Sequence, residues 1–132
     1  MRKIDKIIIH CSATPEGRDV KTDTIRQWHL KRGWSDIGYH YVIELDGTIV
    51  PARPIERIGA HTKGHNTGSI GISYIGGVDA DMKPKDTRTK AQRDALNSLL
   101  FDLTDNFAGA TVHGHNEFSN KACPSFDVQT EL

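Results

Sequence analysis

The sequence predicts an α/β fold in which a mixed central β-sheet is flanked by helices. Three observations carry this: a β-branched run at Lys6 to His10, a hairpin pattern around Asp46-Gly47, and a long amphipathic helix after Thr89. Apolar residues make up 36% of the 132-residue chain and charged residues 26%, a composition that can bury one core, so residues 1–132 are expected to form a single domain.

Taken in order, Lys6 to His10 reads Lys-Ile-Ile-Ile-His, a short run suited to a buried strand, which puts His10 at the strand's C-terminal end. After a polar loop at Arg18 to Thr22, Thr22 or Thr24 can cap a helix with Ile25 and Trp28 on its apolar side, ended by Gly33. Tyr39 to Glu44 and Thr48 to Val50 read as two strands joined by an Asp-Gly turn. The segment from Gly59 to Gly68 is rich in Gly, His, Asn and Thr and reads as a loop that overhangs a groove. Ser69 to Ile75 is a further strand, closed by Gly76-Gly77. Thr89 and Gln92 form a capping box for a helix with Leu96, Leu99, Leu100, Leu103 and Phe107 at helical spacing. Thr111 to His115 is a last short strand, and an irregular tail follows.

The charge balance excludes broad electrostatic partners. Lys plus Arg number 17 and Asp plus Glu number 17, so no net field draws the chain to nucleic acid or an anionic membrane. No apolar run spans a bilayer and no signal-peptide core precedes the first strand, so synthesis in the cytoplasm is expected. Cys11 and Cys123 are then expected as free thiols or a metal ligand.

The residue types suited to a catalytic zinc are His, Cys and carboxylate, with three protein ligands and one open position. His10 at the first strand's end, His115 at the last strand's end and Cys123 in the loop beyond are candidates. Cys11, next to His10, should point to the opposite face and sit in the core. His113 should share a face with His115, where it can compete as a ligand or support one from behind; His29 reads as structural, His65 as a solvent-facing loop residue, and Trp28 and Trp34 as core or rim.

Six segments occur in a telling order: His10-Cys-Ser-Ala-Thr14, Gly33-Trp-Ser-Asp-Ile-Gly-Tyr-His40, Asp46-Gly-Thr48, His61-Thr-Lys-Gly64, Ser69-Ile-Gly71 and Lys121-Ala-Cys-Pro-Ser-Phe-Asp127. Together they resemble the type-2 N-acetylmuramoyl-L-alanine amidases, the superfamily that includes short phage endolysins and peptidoglycan recognition proteins. The matching segments run from His10 to Asp127. The resemblance implies one zinc per chain held by His10, His115 and Cys123, with Tyr39 and Lys121 acting on the scissile amide and His61 lining the substrate groove. It implies peptidoglycan as the substrate, hydrolysed at the bond between N-acetylmuramic acid and L-alanine by a monomer released from the cytoplasm to reach the wall. Tyr39, His61 and Glu117 are the candidates for moving the proton to the leaving amine. Two alternatives stand beside this: a non-catalytic peptidoglycan-binding protein, a class that typically lacks the Cys ligand, and a cysteine hydrolase using Cys123 with His115.

Overall fold

The computed structural model describes residues 2–132. The elements run β1 (Lys6–Cys11), β2 (Thr14–Pro15), α1 (Thr22–Lys31), β3 (Tyr41–Ile43), β4 (Ile49–Pro51), β5 (Ser69–Tyr74), β6 (Gly77–Val78), α2 (Lys90–Asn106), β7 (Thr111–Gly114), a 3-10 turn (His115–Glu117) and α3 (Val128–Glu131). Five strands form a mixed sheet in the order β4-β3-β5-β1-β7. All neighbours are parallel except the β3–β4 hairpin, as the α/β reading required. β2 and β6 form a separate parallel pair that the sequence reading missed, because two-residue strands leave no periodic signal.

Alternation along the strands builds two different faces. Ile7, Ile9 and Cys11 of β1 and Ile70, Ile72 and Tyr74 of β5 point toward α2, where they pack with Leu96, Leu99, Leu100 and Leu103. Cys11 is thus the core thiol expected from its position. The opposite face carries Ile8 and His10 of β1, paired in register with Gly71 and Ser73 of β5. A smaller cluster of Val20, Ile25, Ile37, Val42 and Ile75 anchors α1 on that side.

The capping box of α2 forms as predicted, with the Thr89 hydroxyl accepting from the Gln92 N–H and the Gln92 side chain accepting from Thr89 N–H. α1 is capped differently from expectation. Lys21 occupies its N-cap position without a side-chain cap bond, and Thr22 donates its N–H and hydroxyl to the Glu44 carboxylate at 2.9 and 2.8 Å. A carboxylate brought in by the hairpin satisfies free N–H groups and complements the helix dipole, which a threonine hydroxyl does less well. Gly33 follows the C-cap with φ +88°, the left-handed turn that stops the helix.

The loop between β4 and β5 is tied down by Arg53, whose buried guanidinium donates to the carbonyls of Ile37, Ile58 and Asp36 at 2.8, 2.7 and 3.2 Å. That anchor delivers Ala60 and His61 to the face opposite α2. No described helix is long and apolar enough to cross a membrane.

Candidate metal centre and groove

His10, His115 and Cys123 offer ligand atoms that all lie within 4.8 Å of one another. Each arrives from a different piece of chain. His10 is carried by β1 and is 1% exposed; His115 opens the 3-10 turn after β7; Cys123 comes from the tail, its sulfur accepting from the Cys11 N–H at 3.1 Å. β7 stops at Gly114, one residue short of the expected strand end, and this break turns His115 away from the strand's alternation. His113 therefore does not join the cluster. It lies 2.9 Å from Glu117 and 2.6 Å from the Thr111 hydroxyl.

The donor set fits zinc. In a tetrahedral site with Zn–N and Zn–S of about 2.0–2.3 Å, ligand atoms lie roughly 3.3–3.8 Å apart, and Cys123 Sγ is 3.8 Å from His10 Nδ1. The protonation of His10 suits a ligand as well. Its Nε2 lies 2.9 Å from His61 Nδ1 and 3.2 Å from the Thr62 hydroxyl, while His61 Nε2 lies 3.2 Å from the Ser69 hydroxyl, which donates to the Asn66 carbonyl. One consistent arrangement puts the His10 proton on Nε2, donated to His61, and leaves the Nδ1 lone pair facing Cys123.

Electrostatics hold the imidazoles neutral. Burial, followed by the fields of His61, His115 and Lys121, pushes His10 well below the usual histidine value. Burial and Lys121 lower His115, and burial brings His61 down to about 3. The Cys123 thiol is pushed up by its contact with the Cys11 thiol and by burial, so metal binding here would be coupled to proton release.

Around these groups runs a groove of about 280 Å³, to which Tyr39, His61, Lys121 and Trp34 contribute. The Tyr39 ring lies 5.2 Å from the His10 ring, and burial raises its hydroxyl well above the ordinary tyrosine value, keeping it a proton donor. His61 stands edge-on to His10 at 4.9 Å between ring centres. Its ring lies against Gly71, where an added Cβ would come within 2.6 Å of it. Trp28 and Trp34 stand on the rim as read from the sequence. Glu117 does not face the groove; it accepts from Gly114 N–H and Gln129 and lies against His113. His65, expected in solvent, instead has its ring 4.3 Å from Phe118. Sequence reasoning missed Thr62 and Ser69 as neighbours of the histidines, because isolated hydroxyl residues in a loop carry no pattern. A larger groove of about 560 Å³ between α2 and β7 is lined largely by aliphatic and aromatic groups and lies away from this chemistry.

A mixed α/β sheet with two histidines and a cysteine gathered at the C-terminal end of β1, beside a tyrosine and a lysine, presents the donor set and groove that a metal-assisted hydrolase uses. The chain belongs to the N-acetylmuramoyl-L-alanine amidase family, which matches residues 1–126. It is 43% identical to the endolysin of Klebsiella phage KP32 over 97% of this chain and 85% of that protein. Among solved structures it resembles the N-acetylmuramoyl-L-alanine amidase LysC from Clostridium intestinale URNW, with a TM-score of 0.84, 26% identity, and coverage of 98% of this chain and 82% of that one. Bumblebee PGRP-SA is similar at a TM-score of 0.81 and 27% identity, covering 99% of this chain and 81% of that one.

Proposed function

We propose that this amidase is zinc-dependent, with His10, His115 and Cys123 as the ligands, and that it cuts the bond between N-acetylmuramic acid and L-alanine of peptidoglycan as an endolysin. The observation that carries the reading is the convergence of three ligand atoms within 4.8 Å on a groove that also holds Tyr39 and Lys121. When bound, zinc supplies Lewis acidity toward the scissile carbonyl and makes water nucleophilic at neutral pH.

The chain's own groups account for the rest. Lys121 lies close enough to the site for its charge to act on both His10 and His115, so its ammonium stabilises negative charge growing on the carbonyl oxygen. The Tyr39 hydroxyl, protonated and beside His10, orients water or shares in binding that oxygen. His61 forms part of the groove wall that receives substrate and, through its contact with Nε2, fixes the His10 ring. Glu117 faces elsewhere and both ring nitrogens of His61 are engaged by His10 and Ser69, which favours Tyr39 as the group that moves the proton to the leaving amine. The protein is read as a monomer made in the cytoplasm that meets the wall after release.

The test is digestion of purified peptidoglycan with zinc quantified in the same sample. Release of free L-alanine amino termini that stops on chelation and returns with zinc is the expected result. Binding of muropeptides without cleavage by zinc-loaded protein would overturn it in favour of a non-catalytic wall-binding protein. Cleavage that survives complete zinc removal would instead point to Cys123 acting as a nucleophile.

A further inference from the structure

Cys11 and Cys123 are the chain's only two cysteines, and both are free thiols. They are 112 residues apart in sequence and meet at the C-terminal end of β1, where the Cys123 sulfur lies 3.1 Å from the Cys11 backbone nitrogen and 3.8 Å from the Cys11 carbonyl oxygen. An atom held that close to a cysteine's main chain is within reach of its sulfur, which hangs from the same α-carbon through one methylene, and the two thiols are in contact. The Cys11 sulfur is also confined. It lies 4.0 Å from the Ser125 hydroxyl, which donates to the Gly77 carbonyl at 2.7 Å, and Gly77 sits so close against it that an added Cβ would collide with the sulfur.

The zinc reading uses one of these thiols and leaves the other idle. Cys11 is 5% exposed, packs with the residues facing α2 and takes no part in the ligand cluster. Cys123 is half-buried and lines the groove. A ligand thiol that touches a second thiol has two alternative bonds open to it, to the metal or to its neighbour, since a sulfur in a disulfide has no thiolate charge to give a metal.

We propose that Cys11 and Cys123 form a redox-sensitive pair, which a small disulfide such as oxidised glutathione converts to an intramolecular disulfide that takes Cys123 away from zinc. This rests on the ligand assignment above and adds to it a means of switching the metal centre off. Exposure sets the order of the steps. The Cys123 sulfur gives up its proton, attacks one sulfur of oxidised glutathione and forms a mixed disulfide, while the first glutathione leaves and takes up a proton. The Cys11 sulfur gives up its own proton, attacks the Cys123 sulfur, and the second glutathione leaves in the same way. The two protein thiols are thereby oxidised, and the glutathione disulfide is reduced to two thiols.

In the experiment, reduced full-length protein, zinc-loaded or zinc-free, is incubated with oxidised glutathione, and remaining thiols are blocked with N-ethylmaleimide. Bound zinc, intact mass and linked peptides are then measured. Wild type should lose the mass of two hydrogens, yield a peptide linking Cys11 to Cys123, and lose its zinc in step with that link; dithiothreitol should restore metal binding. Reduced Cys11→Ala should bind zinc, and on oxidation it should stop at a glutathione adduct on Cys123. Unreacted thiols, a stable glutathione adduct on wild-type Cys123, or full zinc retention by cross-linked protein would overturn the proposal. Wild type that binds no zinc while reduced refutes the ligand assignment instead. The pair is then decided by linkage in the zinc-free protein: the cross-link sustains it, and its absence refutes it.

Discussion

Lowering the pH from 7.5 to 5.0 should remove a large part of the protein's stability; His61, brought down to about 3 by burial, contributes, and two further histidines outside the ligand set fix the least that is lost. His29 Nδ1 accepts the Gly38 N–H at 2.9 Å, and His40 Nδ1 accepts the Gly71 N–H at 3.0 Å. Both rings are buried, at 6% and 1% exposure, and burial lowers each from 6.5 to about 4. Protonation would place a second donor against each amide and break the bond. The unfolded chain takes up these protons near pH 6.5 and the folded chain only near 4, so the stabilisation is fully present above 6.5 and is lost as pH falls toward 4. At about 1.4 kcal/mol per unit over the 1.5 units between 6.5 and 5.0, each histidine gives up at most about 2 kcal/mol. The pair together costs on the order of 2–4 kcal/mol, against a typical total of about 5–15. Urea unfolding of metal-free protein, followed at both pH values with chelator present, should show the midpoint fall by at least about 1–2 M. An unchanged midpoint, or imidazole signals of His29 and His40 that titrate near 6.5 in the folded protein, would refute the reasoning.

Other outcomes follow from the ligand cluster and its neighbours. Cys123→Ser should lose most bound zinc, because a hydroxyl is a much poorer ligand than a thiolate; metal analysis giving full occupancy would count against the ligand set. Lys121→Ala should slow turnover by about a hundredfold or more with zinc content and folding near wild type, and Tyr39→Phe should slow cleavage with little change in muropeptide binding. Wild-type rates in both zinc-loaded variants would move the chemistry to other groups. Gly71→Ala would place a Cβ 2.6 Å from the His61 ring. Such overpacking should destabilise by about 1–3 kcal/mol. It should also weaken zinc about tenfold or more by shifting the contact that fixes His10, as a competition titration would read.

What could be read from the sequence divides along a physical line. The run at Lys6 to His10, the Asp46-Gly47 turn and the Thr89 box are local signals, and β1, the hairpin and α2 formed where they fell. Ligand convergence is not local: His10 and Cys123 are 113 residues apart, and only motif order suggested that they meet. The errors also came from tertiary effects. Thr22 lost its capping role to a carboxylate from a different element, and the His65 ring, read as facing solvent, is half-buried beside Phe118. His113 was misread because one residue of strand was assumed that does not exist; where β7 gives way to a 3-10 turn, parity no longer says which way His115 points.

The alternation in β5 explains why the site lies on this face. Ser69-Ile-Gly-Ile-Ser-Tyr74 alternates small with large residues, and all six are buried. The isoleucines and tyrosine fill the layer against α2, while Ser69, Gly71 and Ser73 leave the other layer hollow. His10, His40 and His61 occupy that space, and the Ser73 hydroxyl is buried there without a hydrogen-bond partner among the described residues. A strand with aliphatic residues on both faces would make a tighter core and leave no room for the imidazoles. Burial in the hollow keeps their lone pairs free at neutral pH, which a metal ligand requires, and the same burial makes the fold sensitive to acid. Ligand readiness and acid lability are thus two consequences of one feature of β5, so variants that enlarge Gly71 should perturb both together.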